Sequence, residues 1–166
     1  MKNIYFLCLI AMLVVSCGKN SPENQATIET RIFDEANLLT PSDEKNIFNV
    51  IKSVEEETGS QIGIVTIDTL NGERIEDFSL NRANELRLGR KDINDGVLIT
   101  VSLKDKKMRL EVGDGLDHVI TNQAAARIVE EEMGFNFMHK DYAVGVLSAV
   151  DAIKKLIQEN EDLVGK

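Results

Sequence analysis

Apolar residues change their spacing along this chain, and each change predicts a different kind of segment. Ile4 to Val15 is an unbroken apolar run behind the basic Lys2. Gly18 to Gln25 shows no apolar period and is rich in turn formers, the pattern of a solvated link. From Ile32 onward apolar positions recur at helix or strand spacing, so a folded domain begins near that residue.

Inside the domain, Thr40-Pro41-Ser42-Asp43 reads as a helix start, with a threonine cap, proline at the first helical position and an acid three residues after the cap. Ile47, Val50, Ile51 and Val54 follow at helical spacing and Gly59 supplies the stop. Ile62 to Ile67 is short and β-branched, predicting a strand buried on at least one face. Ile75, Phe78, Ala83 and Leu86 share one side of a helix over Glu73 to Leu88, ended by Gly89.

Val97 to Val101 is apolar on both faces, which predicts a strand central in its sheet. Met108, Leu110 and Val112 alternate with Lys107, Arg109 and Glu111, so the next strand has one wet face, and the polar Lys104-Asp105 link makes the two a hairpin. Two more helices follow: Asn122 to Met133, stopped by Gly134, and Asp141 to about Glu159, with Val146, Val150, Ile153 and Ile157 as its core stripe. Strands alternating with helices give an α/β (α+β) sandwich, a single central mixed β-sheet flanked by α-helices.

Composition narrows the function classes. At 166 residues, 43% hydrophobic and 28% charged, the chain has one domain's length and the make-up of an ordinary fold. Nineteen basic against 28 acidic side chains give −9, and the first 16 residues hold only one of them, Lys2. This balance argues against nucleic acid as a partner and favours cations or basic surfaces. Cysteine occurs only at Cys8 and Cys17, so a domain starting at Ile32 has no disulfide, thiol nucleophile or zinc thiolate site.

Twelve apolar residues are too few to cross a hydrocarbon core that needs roughly 20 in a helix, so Ile4–Val15 fits the core of a secretory signal. Leu13-Val14-Val15-Ser16-Cys17 resembles the lipobox of bacterial lipoproteins, which implies cleavage after Ser16 and lipid on Cys17. The alternative is a signal cut elsewhere, leaving Cys17 a free residue. The organisation expected is residues 1–16 as signal peptide, 17–30 as a polar tether, 31–160 as the domain and 161–166 as a C-terminal tail. Such a protein is extracytoplasmic and membrane-held in the cell envelope. Gly18 after the cysteine favours the periplasmic side of the outer membrane if the host is Gram-negative.

Candidate chemistry gathers at the open end of the hairpin. With Lys104 and Asp105 in the loop, paired residue numbers sum to 209, so Asp95 faces Asp114, with Asp92, Asn94 and Asp117 nearby. Two facing carboxylates repel unless one is protonated or a cation bridges them, and oxygen donors without sulfur or imidazole favour Ca²⁺ or Mg²⁺. The other reading makes these acids solvated turn formers; both stand on the sequence. Gly113-Asp114-Gly115 lacks the third glycine of a dinucleotide cradle, and no Gly-x-Ser-x-Gly elbow is present. Of the two histidines, His118 follows the acidic loop and is a candidate general acid or base, whereas His139 is placed to cap the last helix.

Six segments in order resemble the TPM domain family: Phe33-Asp34-Glu35-Ala36-Asn37-Leu38-Leu39; Glu57-Thr58-Gly59-Ser60-Gln61-Ile62; Leu88-Gly89-Arg90; Asn94-Asp95-Gly96-Val97-Leu98-Ile99; Glu111-Val112-Gly113-Asp114-Gly115-Leu116-Asp117; and Asp141-Tyr142-Ala143-Val144-Gly145. The resemblance spans about Ile32 to Ile157. It implies a central sheet flanked by helices in an extracytoplasmic, often membrane-tethered protein, some relatives binding divalent cations or showing acid phosphatase activity. By position it carries metal-site roles to Asp34, Asp95, Asp117 and Asn122. Asp114 stands where an aromatic is usual, His118 where glycine is usual and Asn122 where aspartate is usual. The expectation is therefore a lipid-anchored module that binds a divalent cation, Ca²⁺ or Mg²⁺, at Asp34, Asp95, Asp114, Asp117 and Asn122 and docks on membrane proteins. A metal-dependent phosphatase of phosphate esters is the alternative.

Overall fold

Thr40 and Gly59 bracket the first long helix as their chemistry dictates. The Thr40 hydroxyl accepts the Asp43 N–H at 3.2 Å while the Asp43 carboxylate takes the Thr40 N–H at 2.9 Å, and Gly59 closes the helix at φ +80°. The computed structural model describes residues 31–166; the signal segment, Cys17 and the tether lie outside the described residues. The elements are β1 (Ile32–Asp34), α1 (Pro41–Thr58), β2 (Gln61–Ile67), α2 (Ile75–Leu86), β3 (Gly96–Ser102) and β4 (Lys107–Val112). Then α3 (Asn122–Arg127) runs through a π-helical segment, Ile128–Gly134, into α4 (Phe135–Met138), and α5 (Tyr142–Glu159) follows.

The four strands form one sheet in the order β1-β2-β3-β4, parallel except for β4, which is antiparallel to β3. Because β2 and β3 are apolar on both faces, the sheet needs helices on both. Ile47, Ile51 and Val54 of α1, Ala125 of α3 and Val146, Val150, Ile153 and Ile157 of α5 cover Ile62, Ile64, Val97, Ile99 and Leu110. On the other face Ile75 and Leu86 of α2 meet Val65, Ile67 and Leu98. The crossovers through α1 and α2 step the same way across the sheet yet lie on opposite faces, so they have opposite hands. One of them is thus the rare left-handed kind.

The expected elements appear with four differences. Three-residue β1 adds an edge strand too short to show an alternation. Arg87 takes the left-handed conformation at φ 49° and ends α2 before Gly89. Gly134 does not stop its helix: the chain stays helical there and ends only around His139 and Lys140, the latter at φ 64°. The hairpin keeps its sum of 209, pairing Val97 with Val112, but its loop is Leu103–Lys106 with Lys106 at φ 52°. In the C-terminal tail, residues 161–166, Leu163 and Val164 pack on the core and the Gly165 N–H reaches the Gly115 carbonyl at 2.8 Å.

Candidate functional site

Asp95 is the anchor of the acidic end of the sheet, and its partners come from the chain itself. Its side chain is fully buried. The Arg90 backbone N–H donates to one oxygen at 2.7 Å, and Arg90 Nε and Nη2 reach the other at 2.8 and 2.6 Å, joined by the Ser60 hydroxyl at 3.3 Å. A buried carboxylate so supplied with donors has its hydrogen-bonding capacity filled by a guanidinium, a backbone N–H and a hydroxyl. The cation that the facing acids require is therefore Arg90, five residues before Asp95.

Asp95 and Asp114 do lie opposite each other along the backbone. Bonds on both sides, Gly113 N–H to Gly96 O at 2.8 Å and Gly115 N–H to Asn94 O at 3.1 Å, continue the hairpin ladder past the strands. This is also why glycines stand at 113 and 115: a Cβ at either place would overlap the carbonyl oxygen of Asn94 or Ile93. The Gly-Asp-Gly run serves close backbone approach and not phosphate binding. Asp114 itself turns to solvent, as do Asp117 and Asn122.

Asp34 is not part of this cluster. It ends β1 level with Thr66, which pairs with Val101, whereas Asp95 precedes the opposite end of β3. Six residues at ~3.3 Å each separate the two by about 20 Å. Its carboxylate accepts the Leu38 and Leu39 N–H groups at 3.0 and 2.8 Å and the Thr66 hydroxyl, so it shapes the turn into α1. Of the five expected ligands, Asp34 and Asp95 are thus committed to internal bonds at opposite ends of the sheet. Among the described residues no three acid, histidine or cysteine side chains are grouped to hold a metal ion. The five expected ligands do not come together as one donor set.

The histidines differ as well. His118 is exposed beside Asp117. His139 does not cap α5, whose cap position is Asp141; its Nδ1 lies 2.9 Å from the Phe135 carbonyl oxygen, and its ring leans on Phe135 with centroids 4.5 Å apart.

Two adjoining grooves lie beside β4, apart from a smaller hollow of ≈ 340 Å³ against α2 that is lined by Glu73, Phe78, Asn81, Arg82 and Glu85. A groove of ≈ 460 Å³ runs along β4 from Met108 to Val112 and is walled by Asp117, Asn122, Ala125, Ala126 and Val129. Among the described residues β4 pairs only with β3, and the ladder phase leaves the N–H and C=O groups of Met108, Leu110 and Val112 pointing off the sheet. A larger groove of ≈ 820 Å³ shares Met108 and Val129 with it and is lined by Phe135, Phe137, Met138 and Tyr142. The π-helical turn before Phe135 inserts extra backbone into the helix and rotates these side chains from the face that a regular helix would give them. Nothing in the apolar spacing marks this second groove, because Phe135 and Met138 lie beyond Gly134, where the helix was expected to stop.

The fold is a helix-covered mixed-sheet domain with two adjoining grooves at one sheet edge. The family model for the TPM domain matches residues 32–156, and the chain belongs to that family. A comparison with curated proteins returns no match. In fold, the chain is similar to the N-terminal domain of a Porphyromonas gingivalis protein, with TM-score 0.75 at 24% identity over 86% of this chain and 90% of that one. It is also similar to the N-terminal domain of a Corynebacterium glutamicum protein, at TM-score 0.63 and 13% identity over 80% and 83%. A protein of the psychrophilic bacterium Bizionia argentinensis gives TM-score 0.64 at 18% identity over 73% and 82%.

Proposed function

We propose that this TPM-domain protein is a lipid-anchored, extracytoplasmic binding module that recognises membrane proteins and performs no turnover. The observation that carries the reading is the place of Asp117 and Asn122. They stand exposed on the wall of the groove along the free edge of β4, while Asp34 and Asp95, needed to complete a metal centre, are held in internal bonds elsewhere. An unpaired strand edge beside a groove suits an extended peptide, with backbone bonds giving affinity and the groove walls giving selectivity. Cys17 in its lipobox-like setting supplies the anchor and the polar stretch to residue 30 the leash, and in a Gram-negative host Gly18 directs it to the outer membrane.

Photo-crosslinkers at Met108 and Asn122 of the full chain, expressed in its host, test this. Capture of one defined membrane protein from both positions, and not from a crosslinker at exposed Lys91 at the Asp95 end of the sheet, is the expected result. Phosphate release by purified protein that Mg²⁺ or Ca²⁺ stimulates and Asp117→Asn removes would overturn it.

A further inference from the structure

Met138 and Phe135 are the most exposed large apolar side chains of the described residues, at 76% and 62%, and they stand three residues apart on α4. They rim the larger groove, and so do Lys106, Lys107 and Lys140. Lys52, Lys104, Lys154 and Lys155 each pair with a carboxylate, whereas these three, like the scattered Lys45, Lys91 and Lys166, form no salt bridge among the described residues; what sets the three apart is that they share one groove rim with Phe135 and Met138. Glu130 is the acid on this groove's wall. A protein with a net charge of −9 thus turns to the outside one face where protruding apolar residues stand beside three lysines free of direct ion pairs, Lys107 feeling Asp105 only at longer range.

We propose that this face rests on an anionic lipid surface, with Phe135 and Met138 entering the interface and Lys106, Lys107 and Lys140 lying against the head groups. The proposal rests on the anchored reading above and deepens it by naming what the domain touches once tethered. Apolar side chains flanked by lysine are the chemistry that interfacial segments use. A peptide lying in the groove would leave the outer faces of Phe135 and Met138 wet, whereas a bilayer covers them.

The leash decides the rest. Gly18 to Thr30 is 13 residues, at most about 45 Å when extended. The longest helices, α1 and α5, have 18 residues and measure about 27 Å. A span of that length exceeds either helix, so it leaves room for surface chemistry to select the face that meets the membrane. Three lysines at an anionic surface shift the docked-to-undocked ratio by on the order of 100-fold at low salt, reduced by Glu130 and screened as salt rises. Docked this way, the adjoining β4 edge lies at membrane level, beside the emerging segments of a bilayer protein.

The test uses the full chain, expressed with its signal so that Cys17 is processed, on vesicles of phosphatidylcholine alone or mixed with phosphatidylglycerol. Amine acylation of each lysine is read by mass spectrometry. On the anionic mixture Lys106, Lys107 and Lys140 react about tenfold more slowly than on phosphatidylcholine, Lys91 is unchanged, and ~1 M salt removes the difference. Phe135→Ser with Met138→Ser, both at exposed positions, abolishes the protection while the chain stays on the vesicles. Equal lysine reactivity on both vesicles, with the chain still held, overturns docking and leaves the anchor standing. A chain that washes off both vesicles overturns the two together. Protection that appears only after host membrane proteins are added assigns the groove to a protein and overturns the lipid proposal.

Discussion

Arg90 and Asp95 grip each other twice, through the guanidinium at 2.6 Å and through the Arg90 N–H at 2.7 Å. The pair closes the loop between α2 and β3. Arg90 also packs over Gly59, where a Cβ would lie 2.6 Å from its Nη1, and its Nη2 reaches the Thr58 carbonyl at 3.4 Å. One arginine thus joins the carbonyl end of α1, where the helix dipole favours a cation, to the lead-in of the central strand.

Asp95→Asn should therefore act on stability. Removing one partner of a buried pair costs about 3–5 kcal/mol, and Arg90, at 43% exposure, recovers part of that from water. The expected loss in urea unfolding is about 2 kcal/mol. A variant as stable as the parent would show that the pair does not hold the loop.

Divalent ions should leave the melting temperature where it is. A ligand at 100 times its Kd would add ~2.7 kcal/mol, a shift easily seen. With Asp34 and Asp95 committed elsewhere, Ca²⁺ and Mg²⁺ at millimolar concentration are expected to produce none. A clear upward shift by calorimetry would reinstate a cation site at Asp114, Asp117 and Asn122.

Glycine-to-alanine changes should split in sign. At Gly113 and Gly115 the new methyl meets a carbonyl oxygen of the 93–94 segment, so each change should cost about 2 kcal/mol or more. At Gly134 the nearest atom is 3.6 Å away and the backbone is helical, so alanine should stabilise by about 0.5–1 kcal/mol. Three melts decide it, and a destabilised Gly134→Ala would mean that the π-helical turn needs glycine.

Acid should weaken two local structures. Asp105 lies below its ordinary value of 3.8 because the Ser102 hydroxyl, and then the Leu70 N–H, donate to its charged form. Asp43 is lowered by the Thr40 hydroxyl and then the Thr40 N–H. A depressed folded-state pKa contributes stability that is complete above the unfolded value and lost as pH falls through the folded one. The contribution should therefore begin to fade near pH 4 and go on fading below it. Asp105→Asn should flatten that acid limb in pH-dependent urea unfolding, and an unchanged slope would refute the assignment.

Much of this architecture is legible because its signals are local. The Thr40–Asp43 cap, the Gly59 stop, the stripes of α1 and α5 and the hairpin sum of 209 all depend on residues within a few turns of one another. What escapes is set at a distance. β1 is three residues whose pairing comes from β2, and nothing in α1 or α2 states which face of the sheet each covers. Gly134 reads as a stop, yet packing carries the helix past it to Met138. The acids were visible as a cluster, but Asp95 takes its counter-charge from a loop whose closure only the folded chain shows. Asp34 and Asp95 share a family pattern without sharing a place.

The bond from the Gly165 N–H to the Gly115 carbonyl fixes an order of assembly. The corner formed by Ile93, Asn94 and Gly115 is finished by residues that lie beyond α5, so it closes only once α5 and the segment behind it have folded back onto the sheet. Whatever loosens the seat of α5 on the sheet should open that corner with it.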